Sequence, residues 1–391
     1  MLPAFSKTRK ALRISALSMG AALVLAACDV PATGGGPSIN ASAPVPVALL
    51  VPYGSENAAE TGLAQSLENA ARLAMADLNG VEVDLKVYAT AGNPDQAATV
   101  AREAVRDGAK IILGPVYGAS ANAAGVAVSS ARVNVLSFSN NTEIAGGNVF
   151  VLGNTFDNTA RRVVSYANSQ GRSSMVVTYP ETAVGVIGRD AVTNAIASSG
   201  AGNAGTIGYE ASQNGVINAV REIADLVRDN GAQALVIADD TSGGVPLLSQ
   251  LLLENGVDPT VTQLVGLTRW DIPPSTLDLP GVQGGLFALP DPGPTSQFQS
   301  RYQSAYGAPP HPIAGLAYDG MAAIGALVAS DGSSALTTSA LTQGAGFAGV
   351  SGVFRFRADG TNERALAVAQ IVDRQVTIVS PAPKSFSGAG F

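Results

Sequence analysis

The stretch "GNPDQAATVAREAVRDGAKIILGPVYGAS", residues 92–120, decides the fold class of this chain. Its first half predicts a helix, with Asn93 as the N-cap, Pro94 at the first helical position and Gly108 at the end. The apolar run that follows, residues 109–116, is typical of a strand that is buried on both faces. A Gly-Pro turn then leads into a second helical segment. Helices that alternate with buried strands indicate a parallel sheet covered by helices on both sides.

The same alternation extends over most of the chain and divides into two series. The first series contains predicted strands at residues 45–53, 83–90, 109–116, 133–139 and 148–153. A second series begins at residue 156, and the tail around Asp359-Gly360 alternates polar and apolar residues as antiparallel hairpin strands do. The sequence therefore predicts an α/β protein with two doubly wound, Rossmann-like lobes and several crossovers. A ligand would sit in the cleft between the lobes, at the carboxyl ends of the strands.

The N-terminal segment has the pattern of a secretory signal peptide. Four basic residues precede a short apolar run that ends in Leu25-Ala26-Ala27-Cys28, which is typical of a bacterial lipobox. We therefore expect cleavage after residue 27, lipidation of Cys28 and attachment to the cell envelope by this lipid, with the protein body in the periplasm. Cys28 is the only cysteine of the sequence, so the chain forms no internal disulfide.

Composition shifts mark the expected domain boundaries. Residues 29–44 contain Gly, Pro, Ala and Ser with little apolar bulk, which is typical of a flexible tether. The expected organisation is a signal peptide at 1–27, a flexible tether at 28–44, a first lobe at 45–155 and 284–345, a second lobe at 156–283 and 346–382, and a flexible tail at 383–391.

The balance of charge argues against nucleic-acid binding. The sequence has 23 Lys and Arg residues against 30 Asp and Glu residues, a formal charge of −7. Loss of the predicted signal peptide removes four basic residues and no acidic one, which leaves −11. Acidic charge that is scattered along the chain offers no basic patch for phosphate groups.

The search for catalytic motifs favours a protein that is not an enzyme. His311 is the only histidine, and its Pro-rich surroundings predict a surface or capping role. The sequence has no Gly-x-Ser-x-Gly elbow and no phosphate loop with a lysine. Residues 200–205 match Gly-x-Gly-x-x-Gly, but they follow a helix and precede a strand, so we interpret them as a flexible connection. We predict no catalytic residue, no cofactor and no metal.

Polar residues crowd one strand exit in "LSFSNNTEI", residues 136–144. Two interpretations are open, a binding rim and a turn whose polar groups satisfy one another. The candidate ligand-binding residues at this exit are Ser137, Ser139, Asn140 and Asn141.

A pair of carboxylates, Asp239 and Asp240, follows a buried strand of the second series. Adjacent strand residues point to opposite faces, so at most one of them faces the cleft. We expect Asp240 to cap the next helix, and Asp239 is open between ligand contact and hinge structure. The remaining candidate ligand-binding residues lie at or near strand ends or in following helices: Tyr53, Tyr117, Gly118, Ser120, Tyr179 and Asp319.

Four segments resemble type I periplasmic-binding folds of the leucine/isoleucine/valine-binding-protein-like group. These segments are "VALLVPYGSE" with "LENAARLAMADLNG", the stretch at 92–120, "VNVLSFSNNTEIAGGNVFVLG" and "GVFRFRADGTNERALAVAQI". The resemblance covers residues 45–382. The part that contains "ILGPVYG" and "VLSFSNNTEIAGGNVFVLG" is also similar to the lipoproteins known as penicillin-binding protein activators. That similarity implies binding and stimulation of a peptidoglycan synthase.

The resemblance also implies where an amino-acid ligand would be held. The family's serine falls on Gly118, with Ser120 close by, and two further contacts fall near Ser139 and Asn141. The family's aromatic ring has no clear counterpart because Val184 stands there, and its acid falls on Asp239 or Asp240.

The changed contacts lead to two functional hypotheses. The first is a non-catalytic lipoprotein that activates a peptidoglycan synthase, because part of the family's amino-acid site is altered. The alternative is a substrate-binding lipoprotein of an ABC uptake transporter, which delivers amino acids, amides or another small polar ligand to a permease. Asp29 directly follows the predicted lipidated cysteine, and in enteric bacteria an aspartate there is implied to retain a lipoprotein in the inner membrane. The activators act from the outer membrane, so the choice between the two membranes stays open.

Overall fold

A computed structural model describes residues 36–386 of the chain. The signal peptide, Cys28 and most of the predicted tether lie outside the described residues. The strands are β1 Val45–Val51, β2 Val83–Ala89, β3 Ile111–Leu113, β4 Asn134–Ser137, β5 Val149–Val151, β6 Ser174–Pro180, β7 Gly202–Tyr209, β8 Ala234–Ile237, β9 Gln263–Gly266, β10 Leu286–Leu289, β11 Phe347–Gly349, β12 Gly352–Phe356, β13 Asn362–Arg364, β14 Ala367–Val372 and β15 Gln375–Ser380. The helices are α1 Ala58–Met75, α2 Pro94–Arg106, α3 Gly118–Val128, α4 Phe156–Ser169, α5 Ala183–Ser199, α6 Gln213–Asp229, α7 Val245–Glu254, α8 Pro292–Tyr306, α9 Gly315–Asp331 and α10 Thr338–Leu341.

The first lobe is built on a parallel sheet of five strands in the order β2-β1-β3-β4-β5. Alternate residues of β1 enter different cores because side chains alternate across a strand. Leu49 packs in the core that contains residues of α1 and α9, and Leu50 packs in the core that contains residues of α2 and α3. Both faces of the sheet are therefore covered by helices, as the unbroken apolar run of β1 predicts.

The second lobe is built on a sheet of seven strands in the order β15-β14-β10-β9-β8-β6-β7. The five strands from β10 to β7 are parallel, and β14 and β15 are antiparallel additions at one edge. One face packs against α4 and α5, and the other packs against α6 and α7. The prediction of two doubly wound α/β lobes is confirmed, and so is the prediction of antiparallel strands in the tail.

Two expected boundaries differ from the structure. Strand β10 was expected in the first lobe, but it pairs with β9 and β14 in the second sheet. Strands β11, β12 and β13 were expected in the second lobe, but they form a separate antiparallel sheet whose Phe347, Phe354 and Phe356 belong to the core of the first lobe. The pattern of apolar residues shows that these strands are buried, and it carries no information about which sheet they join.

A buried ion pair stands where the chain passes between the lobes. Arg364, the last residue of β13, donates to Asp319 Oδ2 of α9 at 3.0 Å and to the Leu152 carbonyl at 2.8 Å. Asp319 Oδ1 accepts from the Val350 amide at 2.7 Å. The pair ties together the segments after β5 and after β13, which are two of the crossovers. Asp319 was expected to bind ligand, and the structure instead gives it this buried structural contact.

Both described ends of the chain are packed rather than flexible. The Ile39 side chain is 7% exposed, and its amide donates to the Ser333 carbonyl at 3.1 Å in the first lobe. At the other end, Lys384 pairs with Asp291 and the Arg355 guanidinium lies 4.4 Å from the centre of the Phe386 ring. The expected flexible segments are therefore ordered at residues 36–39 and 383–386. Within residues 36–386, no helix is both long enough and apolar enough to cross a membrane.

Candidate ligand-binding site

A cavity of about 690 Å³ opens at the carboxyl ends of the parallel strands in the second lobe. Its walls come from the segments that follow β6, β7, β8 and β9, which meet at one edge of the sheet. Open α/β sheets bind their ligands at this edge. The lining is mixed: Phe156, Val184, Val216, Pro246 and Leu247 supply apolar surface, and Thr182, Tyr209, Ser212, Gln213, Asp239, Asp240, Ser242 and Thr268 supply polar groups.

Asp239 is the acidic group of the cavity wall. Its Oδ2 atom accepts from the Tyr209 hydroxyl at 2.5 Å and from the Gly244 amide at 2.6 Å, and its Oδ1 atom accepts from the Asp240 amide at 2.7 Å. A Cβ atom on Gly243 would lie 2.4 Å from Asp239 Oδ1, so the turn can hold the carboxylate this closely only with glycine there. These bonds fix the carboxylate and leave lone pairs for a donor on a ligand.

Tyr209 is a member of the site that the sequence analysis missed. Burial, together with the hydrogen bond to the Asp239 carboxylate, raises the pKa of Tyr209 above its ordinary value, so the hydroxyl stays protonated and donates. Tyr209 is the last residue of β7, in "TIGYE". The rule that selected the other tyrosines, an aromatic residue at a predicted strand end, would have selected it as well.

Asp240 was expected to cap α7, and the structure instead gives it hydrogen bonds within the turn before that helix. Its side chain is exposed, and Oδ1 accepts from the Ser242 and Gly243 amides at 2.8 Å each. These bonds close the turn before α7, although the N-cap residue of that helix is Gly244. Asp240 lines the cavity, but its carboxylate already accepts hydrogen bonds from two backbone amides.

In the first lobe, polar side chains converge on the start of α3. Tyr117 is the N-cap of α3, and its side chain accepts no hydrogen bond from the first turn. The first amides of α3 have no partner within the helix, as at any helix N-terminus. A Cβ atom on Gly118 would lie 3.4 Å from Asn141 Nδ2 and 3.6 Å from Ser139 Oγ. Free amides at a helix N-terminus, with polar side chains beside them, attract anions such as carboxylates.

The polar strand exit also satisfies itself. Ser137 Oγ donates to the Pro115 carbonyl and accepts from the Ser139 amide, each at 3.1 Å. Ser139 Oγ accepts from the Asn141 amide at 3.1 Å, and Asn141 Oδ1 accepts from the Glu143 amide at 2.9 Å. The structure thus shows a turn whose polar groups satisfy one another. Ser139 and Asn141 also lie beside Gly118, and the binding rim stays a prediction.

Two further candidates, Ser120 and Asn140, differ in the exposure of their side chains. Ser120 is fully buried in the first turn of α3, and its hydroxyl has no hydrogen-bond partner among the described residues. Asn140 is exposed on the loop after β4.

Glu60 is a second residue that the sequence analysis missed. Burial, together with the nearby Glu60 carboxylate, raises the pKa of Tyr117 above its ordinary value. A Cβ atom on Gly92, whose φ is +67°, would lie 2.7 Å from Glu60 Oε2 and 3.4 Å from the Tyr117 ring. Within residues 36–386, Glu60 Oε2 is buried without a hydrogen-bond partner. Glu60 stands in the first turn of α1, where an acidic residue is usual, so no sequence signal set it apart.

Three candidates lie neither in the cavity wall nor in the polar group around Gly118. The Tyr53 hydroxyl donates to Glu68 at 2.9 Å, and the Tyr179 hydroxyl accepts from Arg189 at 3.3 Å. Asp319 is buried against Arg364. His311 is exposed, in agreement with the expected surface role, and its Nδ1 atom accepts from the Ile313 amide at 3.4 Å before α9, whose N-cap is Ala314. No group of three His, Cys, Asp or Glu residues within the described part of the chain is placed to hold a metal ion.

A family model described as "Periplasmic binding protein" matches residues 44–375. The chain belongs to the periplasmic binding protein family. This match and the structure confirm the expected type I periplasmic-binding fold and the resemblance to the leucine/isoleucine/valine-binding-protein-like group. No match was found among the curated proteins.

Solved structures of ABC transporter binding proteins share the fold. A protein from Rhodospirillum rubrum assigned to branched-chain amino acid ABC transport superimposes with a TM-score of 0.73 at 21% identity, over 86% of this chain and 100% of the other. A substrate-binding protein from Desulfitobacterium hafniense in complex with Leu gives 0.64 at 17% identity, over 86% and 100%. A solute-binding protein from Rhodopseudomonas palustris in complex with 3,4-dihydroxybenzoic acid gives 0.57 at 16% identity, over 87% and 96%.

In this periplasmic binding protein the two halves of the candidate site are separate. Every residue that lines the cavity belongs to the second lobe. The polar group around Gly118 belongs to the first lobe and does not line the cavity. The structure therefore places an acidic, partly apolar cavity in one lobe and helix amides with polar side chains in the other, and these are the two candidate half-sites.

Proposed function

We propose that this protein is the substrate-binding component of an ABC uptake transporter. Its substrate would be a small molecule that carries a carboxylate and an apolar body. The observation that carries this proposal is that one lobe presents free helix amides and the other an acidic cavity, because these would complement the two ends of such a ligand.

The chemistry of each half-site supports this class of substrate. The free amides of α3, Ser139 and Asn141 are donors for a carboxylate. Asp239 accepts from an ammonium or hydroxyl group, and Val184, Val216 and Leu247 would cover the apolar body. A volume of about 690 Å³ lies within the usual range for small-molecule sites. The neighbours that were solved with leucine and with 3,4-dihydroxybenzoic acid hold ligands of this kind.

Binding would draw the two half-sites together. A ligand that is held by both lobes stabilises the arrangement in which both contacts are made. The permease would then distinguish the loaded protein from the empty one by the positions of the two lobes.

A thermal-shift panel tests the proposed function. Free amino acids, their amides and aromatic carboxylates are added to the purified protein at increasing concentration. A true ligand raises the Tm because it binds only the native state, and at one hundred times its Kd it adds about 2.7 kcal/mol to the free energy of unfolding. A panel that leaves the Tm unchanged contradicts the proposal.

The membrane attachment is a further part of the proposal. Lipidation of Cys28 would hold the protein in the periplasm near its permease, and Asp29 leaves open which membrane carries the lipid. Cys28→Ala should release the protein into the soluble periplasmic fraction. Retention of the variant in the membrane fraction contradicts lipid anchoring through this residue.

Activation of a peptidoglycan synthase is the second candidate function. It rests on the sequence resemblance and on the absence of a side-chain hydroxyl at Gly118. The test is capture of the synthases of the same organism by the purified protein, followed by an assay of their polymerising activity. Stimulated synthesis together with an unresponsive ligand panel would favour this function over transport.

A further inference from the structure

The end of the chain passes from one lobe to the other on a path of its own. This segment, residues 381–386, is called the C-terminal strap here. It begins in the second lobe, where Arg162 of α4 donates to the Pro381 carbonyl at 3.0 Å. The next residue, Ala382, is 5% exposed and belongs to the core that α6 and α7 cover. The strap is therefore rooted in the second lobe.

The middle of the C-terminal strap is fastened at a crossover. Lys384 forms an ion pair with Asp291, which lies between β10 of the second lobe and α8 of the first. Asp291 is itself 7% exposed: its amide donates to the Ser351 carbonyl at 3.0 Å, and its Oδ1 atom accepts from the Gly293 amide at 3.2 Å. Lys384 thus pairs with a carboxylate that is already fixed at the pivot between the lobes.

The far end of the C-terminal strap lies on the first lobe. The Phe386 ring stacks against the guanidinium of Arg355 in β12, 4.4 Å from ring centre to Cζ. A Cβ atom on Gly346 would lie 2.7 Å from Phe386 Cε2, so glycine at that position makes room for the ring. The neighbours of Arg355 in β12, Phe354 and Phe356, belong to the first-lobe core.

We propose that the C-terminal strap limits the rotation of one lobe against the other. Three crossovers of the main chain already join the lobes, after β5, after β10 and after β13, and each can act as a pivot. The strap adds a fourth link whose two ends are fixed to different lobes. Among its fastenings are an ion pair with an exposed lysine and a cation–π contact, which are individually weak and reversible. Such a link opposes the rotation of one lobe against the other without preventing it.

The test measures the distance between the lobes in solution. Spin labels are placed on the full chain at Arg102→Cys in α2 and Arg221→Cys in α6, both exposed, with Cys28→Ser so that these are the only thiols. Phe386→Ala and Lys384→Ala should each broaden the distribution of distances between the labels, and together they should broaden it more. A chain that ends at Ala382 should match the double variant, whereas one that ends at Phe386 should match the full-length protein.

The control is Tyr306→Ala, which removes an aromatic side chain of similar size whose hydroxyl donates to the Asn69 carbonyl of the first lobe. It should leave the distribution of distances unchanged. Strap variants with an unchanged distribution overturn the proposal, and so does a lowered Tm without a change in distance, because the strap would then only stabilise the fold. Neither result bears on which ligand the protein binds.

Discussion

Asp239 and Tyr209 form the polar end of the second-lobe cavity, and they support the first prediction at the scale of single residues. Asp239→Asn should weaken ligand binding about tenfold or more, because a hydrogen bond to a charged group contributes about 1.5–3 kcal/mol. Titration calorimetry measures the change. Asp229→Asn, on the exposed end of α6, is the matched control and should bind like the unaltered protein. Equal affinity of the Asp239 variant would remove this carboxylate from the site.

Gly118 gives the second prediction at this scale. A Cβ atom there would meet its neighbours at 3.4 Å or more, which is ordinary contact, so Gly118→Ser should fold without strain. The added hydroxyl stands beside the free amides of α3 and should raise the affinity for an α-amino acid up to about tenfold. Gly118→Ala is the control, since it adds the carbon without the hydroxyl. A serine variant that binds no better than the alanine variant would contradict the proposed position of the carboxylate.

The sequence indicates some residues of the proposed site and gives no signal for the others. Gly118, Ser139, Asn141 and Asp239 follow strand ends, and the carboxyl edge of a parallel sheet is where such residues meet. Tyr53 and Tyr179 satisfy the same rule, yet their hydroxyls pair with other side chains. The position of a residue in the sequence indicates that it lies at the carboxyl edge of the sheet. The direction of its side chain depends on neighbours that are distant in sequence.

At the scale of elements, Glu363 joins its own strand, β13, to β12, to the residue after β12 and to α4 through its carboxylate. It accepts from Arg355 at 2.5 Å, Arg357 at 2.7 Å and Arg161 of α4 at 3.1 Å. Burial alone would raise the pKa of Glu363, but the hydrogen bond from Arg355 and the charges of the three arginines lower it below its ordinary value of 4.5. The folded protein therefore holds Glu363 ionised at a pH where the unfolded chain takes up a proton.

The third prediction follows from the lowered pKa of Glu363 in the folded protein. The stabilisation from Glu363 is complete above about pH 4.5 and is lost as the pH falls through the lower pKa of the folded state. Glu363→Gln should lose about 1–3 kcal/mol of unfolding free energy at pH 7. Its stability should also fall less steeply than that of the unaltered protein as the pH is lowered from 5 to 3. Urea unfolding at several pH values measures both effects, and parallel curves would contradict the assignment.

The buried pair of Arg364 and Asp319 gives the fourth prediction. Arg364→Met should lower the unfolding free energy by about 3–5 kcal/mol, because it leaves a buried carboxylate without its partner. The double variant Arg364→Met with Asp319→Leu should recover most of that loss, since no unpaired charge is left. A double variant as unstable as the single one would show that Arg364 acts through its other contacts, the Leu152 carbonyl and the Phe354 ring.

The elements themselves were largely predictable from the sequence, and their assignment to a lobe was not. Capping residues and apolar periodicity determine where α2 begins and ends, and they are local features. The lobe to which β10 belongs depends on pairing with β14, which is far away in the sequence, and the lobe of β12 depends on where Phe354 and Phe356 pack. The docking of Phe386 on Arg355 is of the same kind, because the local sequence around it is typical of a flexible tail.

At the scale of the whole molecule, the proposed half-sites lie one in each lobe, and three crossovers and the C-terminal strap join the lobes. The first lobe offers helix amides for a carboxylate, and the second offers an acidic cavity with apolar walls. A ligand that spans both should hold the lobes together, and the C-terminal strap should set how far they move apart. Membership of the periplasmic binding protein family agrees with this arrangement.

Calorimetric titration with a matched pair of ligands tests the central claim most directly, and it is the fifth prediction. The ligand that raises the Tm most in the thermal-shift panel is compared with its methyl ester, which keeps the body of the molecule and removes the negative charge. We expect the free acid to bind at a single site and the ester to bind at least about tenfold more weakly, since the charge-assisted bonds to α3 are lost. Equal binding of acid and ester, or no heat from any carboxylate, would contradict the account.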